Sequence, residues 1–255
     1  MSTGVLYIHQ QQFKHQPYTI KENSSQSAYN CFDFLSQIKN SIKSVQKHSM
    51  LPITVFTDQP GEFVDLGVQI VPFKGKWEQC TDKNEIFLLS PYEQTIYLDC
   101  DTEVLCDPSI VFEEYGNELM VCREIMSRPH KKEWIGYADE FNAGVMFYRR
   151  SVEVQRWLLD GYISARLTMS QNNGEFFAGG DQRILNELLK TTHKNKVDWK
   201  YIPSKWNVRI PLHSIIRDPK IRHARGLHDP EKFKLWEQDA SKWTHPTLDL
   251  LEINI

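Results

Sequence analysis

The stretch TIYLDCDTEVL, Thr95–Leu105, begins as an apolar run and ends on two aspartates, Asp99 and Asp101, flanking Cys100. A short apolar segment rich in β-branched and aromatic residues reads as a buried strand. Like charges two residues apart repel, so a strand end that carries both calls for something positive between them. Three candidates fit: a lysine, a calcium ion, or a divalent metal carrying a phosphorylated substrate. A calcium loop counted from Asp99 needs glycine at its sixth position and glutamate at its twelfth. Val104 and Ile110 stand there, so that reading fails. A helix N-cap is the plainer alternative, and Asp107 before Pro108 fits it. Asp99 and Asp101 come too early for that job. Hard oxygen ligands favour Mg²⁺ or Mn²⁺. An ion held by two carboxylates can offset the charge of a diphosphate that must depart.

Outward from this stretch, strands and helices alternate. VLYI (Val5–Ile8), PITVFTD (Pro52–Asp58), VQIVPF (Val68–Phe73) and TIYLD (Thr95–Asp99) read as strands. Phe34, Ile38, Ile42 and Val45 recur at helical spacing, which predicts one apolar helix face. A second helix is expected over Thr81–Ser90. Such alternation predicts an α/β fold with a mainly parallel, Rossmann-like sheet flanked by helices. Ligands of such sheets collect at the carboxyl ends of the strands, where Asp99 and Asp101 lie. Further along, ELMVCRE and FNAGVMFYRR read as strands, Val152–Leu167 and DQRILNELLK as helices, and WKYIP as a late strand.

Composition narrows the class. With 255 residues, 40% of them hydrophobic and 12% aromatic, the chain can bury a substantial core. A net charge of −3 argues against nucleic acid as a partner. Five cysteines without a C-x-x-C pair read as reduced thiols of a cytoplasmic protein. The first residues do not form a leader pattern. No apolar run approaches the ~18 residues of a membrane helix. The segment Lys205–Trp236 holds eight Lys/Arg against three Asp/Glu, a net +5. It reads as a solvated basic face, a closing segment over a diphosphate, or a peripheral contact with acidic lipid. Trp134, Tyr137, Trp206 and Trp243 offer faces on which a sugar can stack, and equally fit core or rim.

Four segments in register, TIYLDCDTEVLCDPSIVF, FNAGVMFYRRS, GGDQRILNELL and HARG, resemble the motifs of GT-A glycosyltransferases. They most resemble family 8, the glycogenin and bacterial lipooligosaccharide galactosyltransferase kind. The similarity runs from SIKSVQKHSMLPITVFTD to about Trp236. It implies one GT-A domain over 1–255, with a nucleotide-binding half (1–105) and a donor-sugar and acceptor half (106–255). By the same resemblance Asp99, Asp101 and His223 match a metal site, and Lys83 a donor-contacting base. Asn142, Ala143 and Gly144 match a turn against the donor sugar, and Gly226 belongs to the same donor-binding set. Asp181 and Gln182 match the pair nearest the anomeric carbon, and His9 and Gln10 sit where these enzymes hold uracil.

Taken alone, Asp181 reads equally as the N-cap of a helix, worth about 1 kcal/mol. The family pattern His-x-x-Gly-x-x-Lys breaks here, because Asp229 stands at the lysine position. Arg222, Arg225 or Lys232 would have to supply that charge, and His228 competes with His223 as a ligand. The resemblance implies metal-dependent transfer of a hexose, with retention, from a UDP-sugar to a saccharide, lipid-linked or protein acceptor. The cofactor would be Mn²⁺ or Mg²⁺. A sugar-1-phosphate nucleotidyltransferase is one alternative, but YIHQQQFKH has no glycine-rich phosphate loop. A non-catalytic sugar-nucleotide-binding module is the other.

Overall fold

A strand whose successive residues are buried, rather than alternate ones, is covered on both faces. β1 (Thr3–His9), β2 (Ile53–Thr57) and β4 (Gln94–Leu98) are of this kind along almost their whole length. The computed structural model describes residues 1–10, 34–75, 79–128, 133–171, 180–209, 212 and 216–224. It joins these strands to β3 (Gln69–Pro72), β6 (Leu119–Arg128), β7 (Glu133–Arg149) and β8 (Trp199–Tyr201). The sheet runs β3-β2-β1-β4-β7-β6-β8. Pairs β1–β2, β1–β4, β2–β3 and β6–β8 are parallel, while β7 runs antiparallel to both β4 and β6.

Alternate side chains of the strands enter two cores. On one face Val5, Tyr7, Ile96, Leu98, Val145 and Phe147 meet Ile38, Ile42 and Val45 of α1 (Phe34–His48). On the other, Leu6, Ile8, Tyr97 and Met146 meet three helices. These are α2 (Gln79–Leu88), α4 (Val152–Gln171) and α5 (Gly180–Lys190), supplying Phe87, Trp157 and Leu185 among others. Phe34, expected on the apolar face of α1, is 39% exposed at its first turn. Trp206 is buried in the first core, so of its possible roles it takes the structural one.

Three strands too short to show any period form a second sheet: β5 (Thr102–Val104), β9 (Val208–Arg209) and β10 (Ile221–His223). β10 pairs antiparallel with β5 and parallel with β9. Between β5 and α3 (Ile110–Tyr115), Asp107 Oδ1 accepts the Ser109 N–H (2.9 Å) and hydroxyl (2.7 Å), capping the turn that Pro108 opens.

The β6–β7 ladder carries the irregularity that matters most. It pairs Val121 with Met146 and then Arg123 with Phe141, so two residues along β6 answer five along β7. Bulges of this kind re-aim side chains, and here the displaced residues include Asn142, Ala143 and Gly144. No described helix is long and apolar enough to cross a membrane. Gly226, Arg225, His228, Lys232 and Trp243 lie outside the described residues, as do the side chains of Asp181, Trp134 and Tyr137.

Candidate functional site

β4 delivers Asp99 to the carboxyl edge of the parallel strands. There its N–H donates to Gly144 O (2.7 Å) and its carbonyl accepts from Thr102 Oγ1 (2.8 Å). Thr102 is itself tied through Ser41 Oγ to Tyr7 OH, each contact at 2.8 Å, so α1 and β1 hold the turn from beneath. Cys100 explains the alternation of the motif. Its side chain is buried in the first core and its thiol donates to Ile8 O (3.2 Å).

The second sheet closes the site. His223 stands opposite Thr102 in the β5–β10 register, and the Ala224 N–H donates to Asp101 O (2.9 Å). A side chain far along the chain is thereby brought to the carboxylates. His223 Nε2 lies 3.4 Å from Asp101 Oδ1 and 3.7 Å from Asp99 Oδ2. One donor atom from each of the three residues falls within 4.8 Å of the other two, the one such cluster among the described residues. The other oxygen of Asp99, Oδ1, receives the Tyr97 hydroxyl (2.7 Å) and the Lys83 ammonium (3.3 Å). Each carboxylate oxygen of Asp99 thus has its own task.

Gly144 is where backbone must come close. A Cβ there would lie 2.2 Å from His223 Cε1 and 2.5 Å from Asp99 Oδ2. Beside it, Asn142 and Ala143 hold Gln182 of α5. The Gln182 Oε1 atom accepts from Asn142 Nδ2 and from the Ala143 N–H, both at 3.2 Å.

Both amides converge on Glu124, which sequence reading passed over as the last residue of a strand pattern. Glu124 Oε2 accepts from Asn142 (2.7 Å), Gln182 (3.3 Å) and Arg209 (3.4 Å). Burial pushes its pKa up. The charge of Arg209 and hydrogen bonds from Asn142, the Ile125 N–H and Gln182 outweigh this and hold it below the ordinary glutamate value. A depressed folded-state pKa adds stability above the unfolded value, about 4.3, that is lost as pH falls through the folded value. Glu124→Gln is therefore expected to melt below wild type at neutral pH. The gap should close in acid, and thermal melts across that range would show a pH-independent gap if the charge were idle.

His9 and Gln10 lie at the end of β1, both 3% exposed. His9 Nδ1 is 3.3 Å from Thr57 Oγ1, and Gln10 Nε2 donates to Asp82 Oδ2 (3.3 Å), one residue before Lys83. Gln10 Oε1 is buried without a hydrogen-bond partner. The structure thus gathers Lys83, Asp99, Asp101, Gly144 and His223 at one point, with Asn142, Ala143 and Gln182 alongside, while Gln10 is bonded to Asp82, the residue before Lys83. Arg222, a candidate for the missing phosphate charge, pairs instead with Glu103 (3.2 Å), since neighbouring strand residues face opposite ways. Tyr97, Asn207 and Arg209 also belong to the site. Only Tyr97, on the same strand face as Asp99, left a trace in the sequence pattern.

No protein-family profile matches the chain. Human glycogenin-1 is 27% identical over 183 residues, 66% of this chain and 46% of that protein. Glycogenin of Komagataella phaffii is 25% identical over 179 residues, covering 62% and 38%. The chain therefore spans less than half the length of these relatives. The crystal structure of the glycosyltransferase GlyE from Streptococcus pneumoniae superposes with a TM-score of 0.60 at 17% identity, over 94% of this chain and 60% of that one. The chain is thus similar to glycogenins in sequence and to a glycosyltransferase in fold. The sheet order, with β7 set antiparallel beside β4, is what brings the Asn142–Gly144 segment against the aspartates.

Proposed function

We propose that the chain is a metal-dependent glycosyltransferase that moves a hexose, with retention, from a UDP-sugar to an acceptor hydroxyl. The observation that carries this is the convergence of Asp99, Asp101 and His223 at the carboxyl edge of the sheet. Two carboxylates and an imidazole suit Mn²⁺ or Mg²⁺, ions that fill their remaining positions with substrate phosphate oxygens. Gly144 keeps the space beside them clear. A divalent ion held there would act as a Lewis acid, offsetting the charge of the departing diphosphate.

The remaining work falls to the chain. Lys83, buried beside Asp99, adds a fixed positive charge at the phosphate end. Gln10 Oε1, an acceptor without a partner, suits an N–H donor such as that of uracil, and His9 precedes it at the end of β1. Asn142, Ala143 and Gln182 orient the sugar. Gln182, bonded at both ends of its amide, is a poor nucleophile, unlike the carboxylate of a retaining hydrolase. The acceptor accordingly attacks from the face the diphosphate leaves, which takes up its proton and preserves the anomeric configuration. Asp181, the neighbour of Gln182 in α5, shares the positioning, and Gly226 belongs to the donor-binding set.

We read 1–105 and 106–255 as one domain, a reading supported by the pairing of β4 with β7 and by Asp99, Asp101 and His223 coming from both halves. Cys100, Cys106 and Cys122 are free thiols, which fits the reducing cytoplasm. A screen of UDP- and GDP-sugars for Mn²⁺-dependent hydrolysis tests the reading without any acceptor. UDP release that EDTA abolishes is expected. UDP binding with no release from any donor would leave a binding module, and pyrophosphate release from UTP and a sugar phosphate would point to nucleotidyl transfer.

A further inference from the structure

We propose that Asn207 is a positioning residue that keeps His223 in the Nδ1–H tautomer, with the Nε2 lone pair turned towards Asp99 and Asp101. The proposal deepens the metal-dependent reading above. It starts at Glu124, whose ionised carboxylate only accepts hydrogen bonds. Asn142 must therefore present its Nδ2 to Glu124 Oε2 (2.7 Å), which leaves its Oδ1 to accept from the Gly144 N–H (3.1 Å). That same oxygen accepts from Asn207 Nδ2 (3.0 Å), which turns Asn207 Oδ1 towards His223 Nδ1 (2.9 Å). An amide oxygen only accepts, so the imidazole proton sits on Nδ1.

Asn142, Asn207 and His223 are all at least 96% buried, so water does not loosen the relay. Asn207 fixes the Nδ1–H side of the ring and so points Nε2, the atom a cation would take, at both carboxylates within 3.7 Å. Partners of this kind set the orientation and basicity of metal-bound histidines. The relay also links the metal group to the Asn142–Gln182 pair, so both halves of the site share one hydrogen-bond direction.

The test uses the full chain labelled with ¹⁵N-histidine and free of metal, its His223 signals assigned by their loss in His223→Gln. Long-range ¹H–¹⁵N spectra of wild type, taken at a pH high enough for the ring to be neutral, should show a pyrrole-type Nδ1 and a pyridine-type Nε2. Asn207→Leu should move the proton to Nε2 and weaken Mn²⁺ binding, followed by the free-ion spin-resonance signal, about 10–100-fold. Asn207→Asp keeps an acceptor for Nδ1–H but loses the donor to Asn142. It should preserve the tautomer and most of the Mn²⁺ affinity while slowing turnover, and it decides the matter if Asn207→Leu fails to fold. A neutral wild-type ring with its proton on Nε2 overturns the proposal, as does a leucine variant with wild-type tautomer and affinity. If wild type holds the Nδ1–H tautomer and the leucine variant loses it, yet neither binds Mn²⁺, Asn207 has its role and the metal reading fails.

Discussion

Asp101→Ala is expected to abolish Mn²⁺-dependent UDP release, a loss of at least about a thousandfold. Metal acting as a Lewis acid contributes several kcal/mol, and each 1.36 kcal/mol is tenfold in rate. The substitution removes one carboxylate facing His223 Nε2 and leaves only Asp99 and the imidazole. The backbone should survive, because the bond that joins this turn to β10 runs from the Ala224 N–H to the main-chain carbonyl of residue 101. Circular dichroism should be unchanged while the Mn²⁺ dependence of turnover disappears. Asp107→Ala is the matched control, since that carboxylate caps a helical turn. It should cost about 1 kcal/mol of stability and leave turnover intact. Near-normal turnover in Asp101→Ala under the same assay would remove the metal from the proposed chemistry.

Gly144→Ala is expected to damage the site almost as severely through a single methyl group. The added Cβ would meet His223 Cε1 at 2.2 Å, Asp99 Oδ2 at 2.5 Å and His223 Nε2 at 2.9 Å. Residue 144 cannot retreat, because its carbonyl accepts the Asp99 N–H at 2.7 Å. The imidazole is held from its other side by Asn207. Something must give, and the movable parts are the metal-facing atoms themselves. Overpacking of this kind costs about 1–3 kcal/mol. Mn²⁺ affinity should fall at least about a hundredfold, beyond the loss of an outer partner alone. Gly61→Ala is the contrasting case, with no atom within 4 Å of its Cβ, and should be silent in both measurements. Calorimetric Mn²⁺ titration of the two variants separates them, and equal affinities would refute the crowding at residue 144.

Both effects arise where the sequence is readable in part only. The apolar runs of β1, β2 and β4 announce strands covered on both faces, and the Ile38, Ile42, Val45 spacing announces α1, because burial imposes a period that long elements repeat. The Asp99-Cys100-Asp101 triplet is legible for the same reason, its cysteine pointing into the core and its acids away. What carries no period stays hidden. β5, β9 and β10 are two or three residues long, yet they alone bring His223 to the aspartates. Glu124 and Asn207 act through hydrogen bonds to residues distant in sequence, Asn142 lying 18 and 65 residues away from them. The three-residue excess of β7 against β6, which turns Asn142–Gly144 into the site, shows only once the register is known. Family resemblance reached His223 and Gln182 without these links, whereas Asn207 needed the fold.

The most direct measurement is anomalous diffraction at the manganese edge from crystals grown with Mn²⁺ and UDP. One peak bonded to Asp99, Asp101 and His223 Nε2, with diphosphate oxygens completing its shell, is the expected result. Bound UDP with no peak there, or a manganese ion that leaves His223 uncoordinated, would contradict it.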